Sequence, residues 1–600
     1  MSTYIKPPTY LSRYPRSLAG IPLLYISSAS ASLGDALLGY SQGITAVFQV
    51  QRSFIRRIYG MNVSTKQIIQ ETTGVDALWP ALLIASLSIT AFFSSLASAY
   101  TSNALGRRKT IRIGASLYFF ASTIQLSAPN LITLLVGRAI QGLGAGLLST
   151  TVPIYQVEIA PANARGILVG IEAFCMNAGY AVSAWVGYAF FMDSRAEHAW
   201  RGPFAVQAVV SLVLFVWTFF LPESPRWLIQ NGYKSEGLCV LADLHAKGDV
   251  TDAGVTNMYH GIVHTLEAEE EKAGDVAGAV APWSALFRDY RRRTVIGVTS
   301  RMFAQLNGIN AILHFLPEHL AQTGSSIPRA LFYSACCSLL YPAGTVPGML
   351  CIDKLGRRRS LIVGSVALAC SLVVVGNVQR YVDSWPKALA FLGGDRGVLL
   401  GICTYLFFFG ATWGPIPWLL SAELFPLRMR GKGMSAATAS DWLFECIVGV
   451  ATPSLLSMLG GGYYFILVGA CILSGFVVWL LYLETGGLPL ESIAGVFGDA
   501  LPPETKLEFD RNESAVEAVG RVQRWSGCGY GHLRARSVVS TTSTQVEGMS
   551  SRSSLVSVAP RNFTAGSSQV TLVGGVTDDD GEKAPRDCRG ADREAYHKNA

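Results

Sequence analysis

Twelve long stretches of this 600-residue chain are apolar and free of sustained charge. They lie near 21–46, 77–100, 110–128, 131–152, 166–191, 203–221, 294–316, 328–352, 360–378, 396–421, 433–457 and 462–483. A bilayer crossing takes about 20 such residues, so twelve crossings absorb about 240 residues, roughly 40% of the chain. Inside lipid the backbone must close its own hydrogen bonds, which makes each run a helix. The composition agrees: 50% of residues are hydrophobic and only 15% charged, against about 25% charged in soluble domains. A disordered chain, a secreted disulfide scaffold and a typical soluble multidomain enzyme are excluded. The predicted fold class is an all-α membrane protein of twelve transmembrane helices.

The charge that remains is segregated. From Glu484 onward there are 16 acidic and 13 basic residues, which leaves about +10 in the first 483 of a chain whose net charge is +7. The basic loops GRRK (106–109), GRRRS (356–360) and RMRGK (428–432) and the central loop fall on one face. The positive-inside rule assigns that face to the cytoplasm, with both termini inside. This divides the chain into a cytoplasmic segment 1–20, a six-helix bundle 21–221, a cytoplasmic central loop 222–293, a second bundle 294–483 and a cytoplasmic tail 484–600. Arg52, Arg56 and Arg57 break the rule in the first exterior loop, which also holds a glycosylation sequon at Asn62. Asn512 and Asn562 open similar triplets in the tail and are expected to be unmodified. The basic residues form no clustered face of the kind nucleic acid requires.

The N-terminus lacks the short apolar core of a signal peptide, so the first span is expected to serve as an uncleaved insertion signal. Eleven cysteines include no CxxC pair, and most sit in apolar runs, where they act as small hydrophobes. No metal site and no phosphate-binding loop is implied, hence no cofactor and no ATP. The tail from about 500 is rich in Ser, Thr, Gly and Val and reads as disordered, suited to binding trafficking or signalling proteins.

The two bundles repeat each other. Gly106-Arg107-Arg108 recurs as Gly356-Arg357-Arg358, and Glu158 precedes Arg165-Gly166 by the interval that separates Glu423 from Arg430-Gly431. Pro222-Glu223 is echoed by Leu483-Glu484. A duplicated six-helix unit with a site between its halves is a transporter plan; no pore ring or filter suggests a channel.

The motifs PIYQVEIAP (153–161), PESPRWL (222–228), DKLGRR (353–358) and WGPIPW (413–418), with Gly137-Arg138 and the glycines 142, 144 and 146, stand in order at helix boundaries. On these the chain resembles the sugar-porter branch of the major facilitator superfamily, fungal members most of all, over about 20 to 490. The resemblance implies two pseudo-symmetric six-helix bundles. It also implies a cytoplasmic latch in which Arg107, Arg108, Arg357 and Arg358 face Glu158 and Glu423, with Arg165 and Arg430 beside them. Asn103 stands where the family places an Asp, so this latch lacks one carboxylate.

The resemblance further implies substrate contacts from Gln305 and Asn310 in span seven and Trp418 in span ten. Gln and Asn each offer a donor and an acceptor to a hydroxyl, and Trp an apolar face. Other positions depart from the family: Ala173, Ala304, His314, Phe315 and Ser41 replace its usual residues. Tyr341 stands where span eight usually has Asn, and Asp441 and Glu445 replace two asparagines of span eleven. Tyr341 and Asp441 are therefore also candidate substrate contacts. Ser41 occupies the position of the proton-site Asp of coupled members. Four acids remain inside spans: Asp35, Glu172, Asp441 and Glu445. Each is costly in lipid unless it is paired or protonated, so all four are candidates for proton coupling. Asp441 and Glu445, four apart on one helix face, are expected to share one proton or to bind a cationic substrate.

The sequence thus points to a plasma-membrane transporter of a sugar or sugar-like polyhydroxylated metabolite, working by alternating access, with protons as the candidate co-substrate. A transport-inactive nutrient sensor signalling through its tail, and an exporter of a secondary metabolite, are the alternatives. An enzyme is not expected, since no catalytic constellation lies outside the spans.

Overall fold

The computed structural model describes residues 14–485, except 16, 61–77, 162–164, 194–198, 274–282, 322–325 and 381–394, together with Phe497. All belong to one compact unit, Met1–Gly529; the second, Tyr530–Ala600, lies outside the described residues. So do the three sequons at Asn62, Asn512 and Asn562 and nearly all of the tail.

The described residues are helical, with no strand. Spans one to six are built on Ile21–Phe48, Leu78–Leu105, Arg107–Ser127, Leu131–Ile159, Arg165–Met192 and Gly202–Trp217. Span seven is broken into Arg291–Leu306, Ile309–Leu313 and Leu316–Ala321, and span eight into Ile327–Ser338 and Leu340–Leu355. Span nine is Arg357–Arg380; span ten is Asp395–Ala411 and Pro415–Glu423; spans eleven and twelve are Leu427–Leu459 and Tyr463–Leu481. Nine described helices are long and apolar enough to cross a membrane, one stretch, Leu427–Leu481, holding spans eleven and twelve together.

The packing has an internal symmetry. Span one packs on five and seven on eleven; span two on four and eight on ten; span three on six and nine on twelve. Adding six to each member of a pair yields its counterpart, which is the twofold relation expected of duplicated halves. The halves meet where span two lies on eleven and span five on eight.

Small residues set these distances. A Cβ on Gly142 or Gly146 would collide with the main-chain oxygens of Leu87 or Ala91 in span two, so only glycine lets spans two and four touch backbone to backbone. Breaks in the helices lie beside the space between the halves. Gly308 adopts φ +98° at the first break of span seven, a left-handed conformation open to glycine. The carbonyl of Asn307 beside it accepts a hydrogen bond from the Tyr405 hydroxyl at 2.9 Å. In span ten, Pro415 and Pro417 contribute no N–H, and Phe409 O accepts the Gly414 N–H at 2.8 Å instead.

The central loop is more ordered than its polar composition suggested. Pro225–Gln230, Lys234–His245 and Ala253–Ala273 form helices that bury Ile229, Leu241, Val255, Tyr259 and Ile262 against Leu427 at the start of span eleven. Burial, reinforced by the charge of Arg226, pushes His245 down to about 4.

Candidate functional site

Between the halves lies a cavity with an empty volume of about 670 Å³. Gln305, Asn310, Tyr341, Trp418 and Asp441, from spans seven, eight, ten and eleven, all line it, joined by Glu172 of span five and Glu445 of span eleven. Their polar atoms form a chain: Asn310 Nδ2 donates to Gln305 Oε1 at 2.8 Å, and Gln305 Nε2 donates to Asp441 Oδ1 at 3.0 Å. Asn310 Oδ1 is buried without a partner.

Behind the chain lies Arg301, fully buried in span seven. Its Nη1 is 3.7 Å from Asp441 Oδ2, its Nε donates to Ser421 Oγ at 3.2 Å, and its guanidinium stacks 3.3 Å over the Trp418 ring. One face of Trp418 is therefore covered by a cation. A smaller cavity of about 310 Å³ adjoins the first through Leu38, Gln42, Trp442 and Glu445. Glu445 Oε1 there lies 3.5 Å from His314 Nε2. Asp441 and Glu445 thus lie beside different neighbours, Arg301 and Gln305 for the first and His314 for the second. Their side chains leave one helix face in directions that different neighbours have claimed.

Ser41 lies in the smaller cavity too. It accepts hydrogen bonds from Arg138 Nη1 at 3.3 Å and Gln141 Nε2 at 2.9 Å, and Arg138 Nη2 bonds Thr45. The arginine of span four is held by neutral oxygens. Asp35 lines neither cavity and is buried between spans one and five.

Three hydrogen bonds cross between the halves near the cavity. Asn177 Nδ2 donates to Thr345 Oγ1 at 2.7 Å, the Tyr180 hydroxyl to Leu313 O at 3.0 Å, and Trp442 Nε1 to Ser149 Oγ at 3.1 Å.

At the helix ends that carry the basic GRR loops, Arg107 Nη2 meets Glu158 Oε1 at 2.8 Å with both side chains buried, and Ser224 Oγ donates to Glu158 Oε2 at 2.6 Å. Arg430 of the second half reaches the same carboxylate at 3.8 Å. Arg357 lies 3.5 Å from Glu423. Arg108 and Arg358 do not reach the glutamates: they bond the main-chain oxygens of Leu221 and Trp479, at the ends of spans six and twelve. The acids after those spans have a role that their repeat alone did not reveal. Glu223 accepts the N–H groups of Arg107 and Arg108, at 2.8 and 3.1 Å, and Glu484 those of Arg357 and Arg358, at 2.8 and 3.2 Å. Each caps the positive N-terminus of a span. Burial pushes the Glu223 carboxyl up, while these N–H groups pull it back. Arg165 begins span five; its side chain lies outside the described residues.

Residues 28–497 match the family model described as "Sugar (and other) transporter". The chain belongs to this transporter family. It is 30% identical to a high-affinity glucose transporter of Kluyveromyces lactis, over 71% of this chain and 79% of the relative. It is 28% identical to an H(+)/hexose cotransporter of Parachlorella kessleri, over 78% and 86%. An MFS-type transporter of Aspergillus cristatus, criB, is 28% identical over 80% and 94%. Among solved structures, the proton:xylose symporter XylE bound to 6-bromo-6-deoxy-D-glucose superposes with a TM-score of 0.66 at 25% identity, covering 79% of this chain and 98% of the other. This transporter is a multi-pass integral membrane protein with the major facilitator fold.

Several residues in and behind the transporter's cavity were not singled out from sequence. Arg301 is the most consequential. A lone arginine within an apolar run calls for the same scrutiny as an intramembrane acid, and that signal was present. Asn177 and Trp442 carried no such mark, because their partners lie in the opposite half.

Proposed function

We propose that this transporter moves a sugar or sugar-like polyhydroxylated metabolite by alternating access, in symport with protons, at the plasma membrane. The observation that carries the reading is the Asn310–Gln305–Asp441 hydrogen-bond chain beside Trp418 and Tyr341 in the cavity between the halves. Amides and a carboxylate supply alternating donors and acceptors for hydroxyl groups, and aromatic faces cover ring C–H groups. The relatives whose names specify hexose, glucose or xylose support the substrate class, and two of those names specify protons.

Gln305, Asn310, Tyr341, Trp418 and Asp441 are assigned to substrate. Glu158, Arg107 and Arg430 with Arg357 and Glu423 are assigned to the cytoplasmic latch, which must open for release inward. The test is uptake of a panel of radiolabelled hexoses, pentoses and polyols into proteoliposomes, with and without an inward proton gradient. Accumulation above equilibrium for at least one solute, lost in Gln305→Ala and Asn310→Ala, is expected. Absence of uptake and of counterflow across the panel would refute the reading.

A further inference from the structure

Of the four acids singled out from the sequence, Asp441 accepts a hydrogen bond from Gln305 and lies 3.7 Å from Arg301, and Glu445 lies 3.5 Å from His314, whereas among the described residues Asp35 and Glu172 have no cation that close. Both Asp35 oxygens and Glu172 Oε2 are buried without a hydrogen bond, and no cation among the described residues comes within ion-pair distance of either carboxylate. The two side chains belong to residues only 1% and 3% exposed. Their register brings them together. A Cβ on Gly39 would strike Met176 O, and one on Gly179 would strike Ala36 O, so spans one and five interlock along these residues. Asp35 and Glu172 each lie one helical turn before the Gly39–Met176 contact, on the same two faces. Glu172 lines the central cavity, whereas Asp35 lies behind it.

A fixed positive charge in the other half acts on both acids. Arg301 of span seven interacts electrostatically with Asp35 and Glu172 but contacts Asp441. The other titratable groups within reach are Cys175 on span five and Tyr118 on span three. Arg138, the buried cation of the first half, is engaged by Ser41, Thr45 and Gln141.

We infer that Asp35 and Glu172 together form the binding site for the transported proton, with Arg301 as a counter-charge held across the interface. Two adjacent carboxylates without partners in lipid carry an uncompensated charge that a single proton removes most economically. The proton enters from water in the cavity at Glu172, is held between the two acids, and returns through Glu172 to water on the opposite side once the cavity has reoriented. No other bond is made or broken. With the proton aboard, the first half closes on Arg301 without burying a second negative charge. Without it, the pair attracts Arg301 away from Asp441 and so alters the substrate chain through Gln305. Proton binding itself is independent of the sugar reading; its coupling to flux rests on that reading.

The test is infrared difference spectroscopy of the full-length protein in proteoliposomes across a pH titration, without any sugar. A protonated-carboxyl C=O band is expected, lost or halved in Asp35→Asn and in Glu172→Gln, and retained in Asp441→Asn and Glu445→Gln. A band unchanged in Asp35→Asn, Glu172→Gln and their double variant overturns the inference. Should Asp35→Asn fail to fold, Asp35→Glu must shift the band and its midpoint, and an unshifted band overturns it equally. Flux separates this from the proposed function. Wild type that shows the band but moves none of the sugar panel refutes the sugar reading and supports the proton site. Proton-driven accumulation that survives in the double variant refutes the proton site and supports the sugar reading.

Discussion

Replacing Arg301 with Met removes a buried charge while keeping most of the side chain's volume. The guanidinium lies 3.7 Å from Asp441 Oδ2, an attraction of about 4 kcal/mol at an effective dielectric constant near 20. Stacking on Trp418 at 3.3 Å adds about 2 kcal/mol when dry. Set against these is the several kcal/mol needed to strip water from the ion. The pair's net worth is therefore small, but deleting one member strands the other. Asp441 would keep only its bond from Gln305, and loss of one partner of a buried pair costs about 3–5 kcal/mol. Arg301→Met alone should be destabilised by that amount. Arg301→Met with Asp441→Leu should return to within about 1–2 kcal/mol of wild type, because an apolar pair often replaces a buried ion pair at little cost. Reversible unfolding in mixed micelles, run as a double-mutant cycle, measures both. A single variant as stable as wild type, or a double variant as unstable as the sum of the singles, would refute the electrostatic account of this site.

Three other outcomes are expected. His245 has its folded value pushed down to about 4, so between about 6.5 and 4 the unfolded chain binds the proton that the folded chain refuses. Its contribution, about 3 kcal/mol, is present above the unfolded value and lost as pH falls towards 4. The protection factors of the amides in Lys234–His245, exchange rates divided by the intrinsic rate at each pH, should fall from pH 7 to 5, and His245→Gln should flatten that response. Gly142→Val forces spans two and four apart and should cost about 1–3 kcal/mol or more, read as lost monodisperse protein on size exclusion, whereas Gly469→Ala, with nothing within 4 Å, should be silent. Glu223→Ala and Glu484→Ala each uncap a span and should lower stability by about 1 kcal/mol, measurable as a fall in thermal unfolding temperature.

The helical class and the duplication were legible because lipid leaves a chain few options. A long uncharged run must be a helix, and a motif repeated at a fixed offset must occupy equivalent places in two copies. The set Gln305, Asn310, Tyr341, Trp418 and Asp441 that lines the cavity was reached through the family resemblance, and a polar side chain inside a span turns from lipid towards protein. Partners were not. Arg108 and Arg358 share the GRR motif with Arg107 and Arg357, yet bond main-chain oxygens, because successive residues on a helix point about 100° apart and only one of each pair faces span four or ten. Asp441 and Glu445 share a face, but His314 and Arg301 approach it at different heights.

Sequence by itself determined where charge is absent, how many times the chain can cross, that the two halves repeat, and which acids must be explained. Only the tertiary structure decided which charges meet. That depends on how spans distant in the chain are brought together: Arg301 against Asp441 across 140 residues, Glu158 against Arg430 across the two halves, and Asp35 beside Glu172 through a glycine-tight contact of spans one and five. In a low-dielectric interior an ångström of such placement separates a counter-ion from a bystander. The four acids that looked alike in the sequence have, in the folded chain, different neighbours: Arg301 and Gln305 for Asp441, His314 for Glu445, and each other's helix for Asp35 and Glu172.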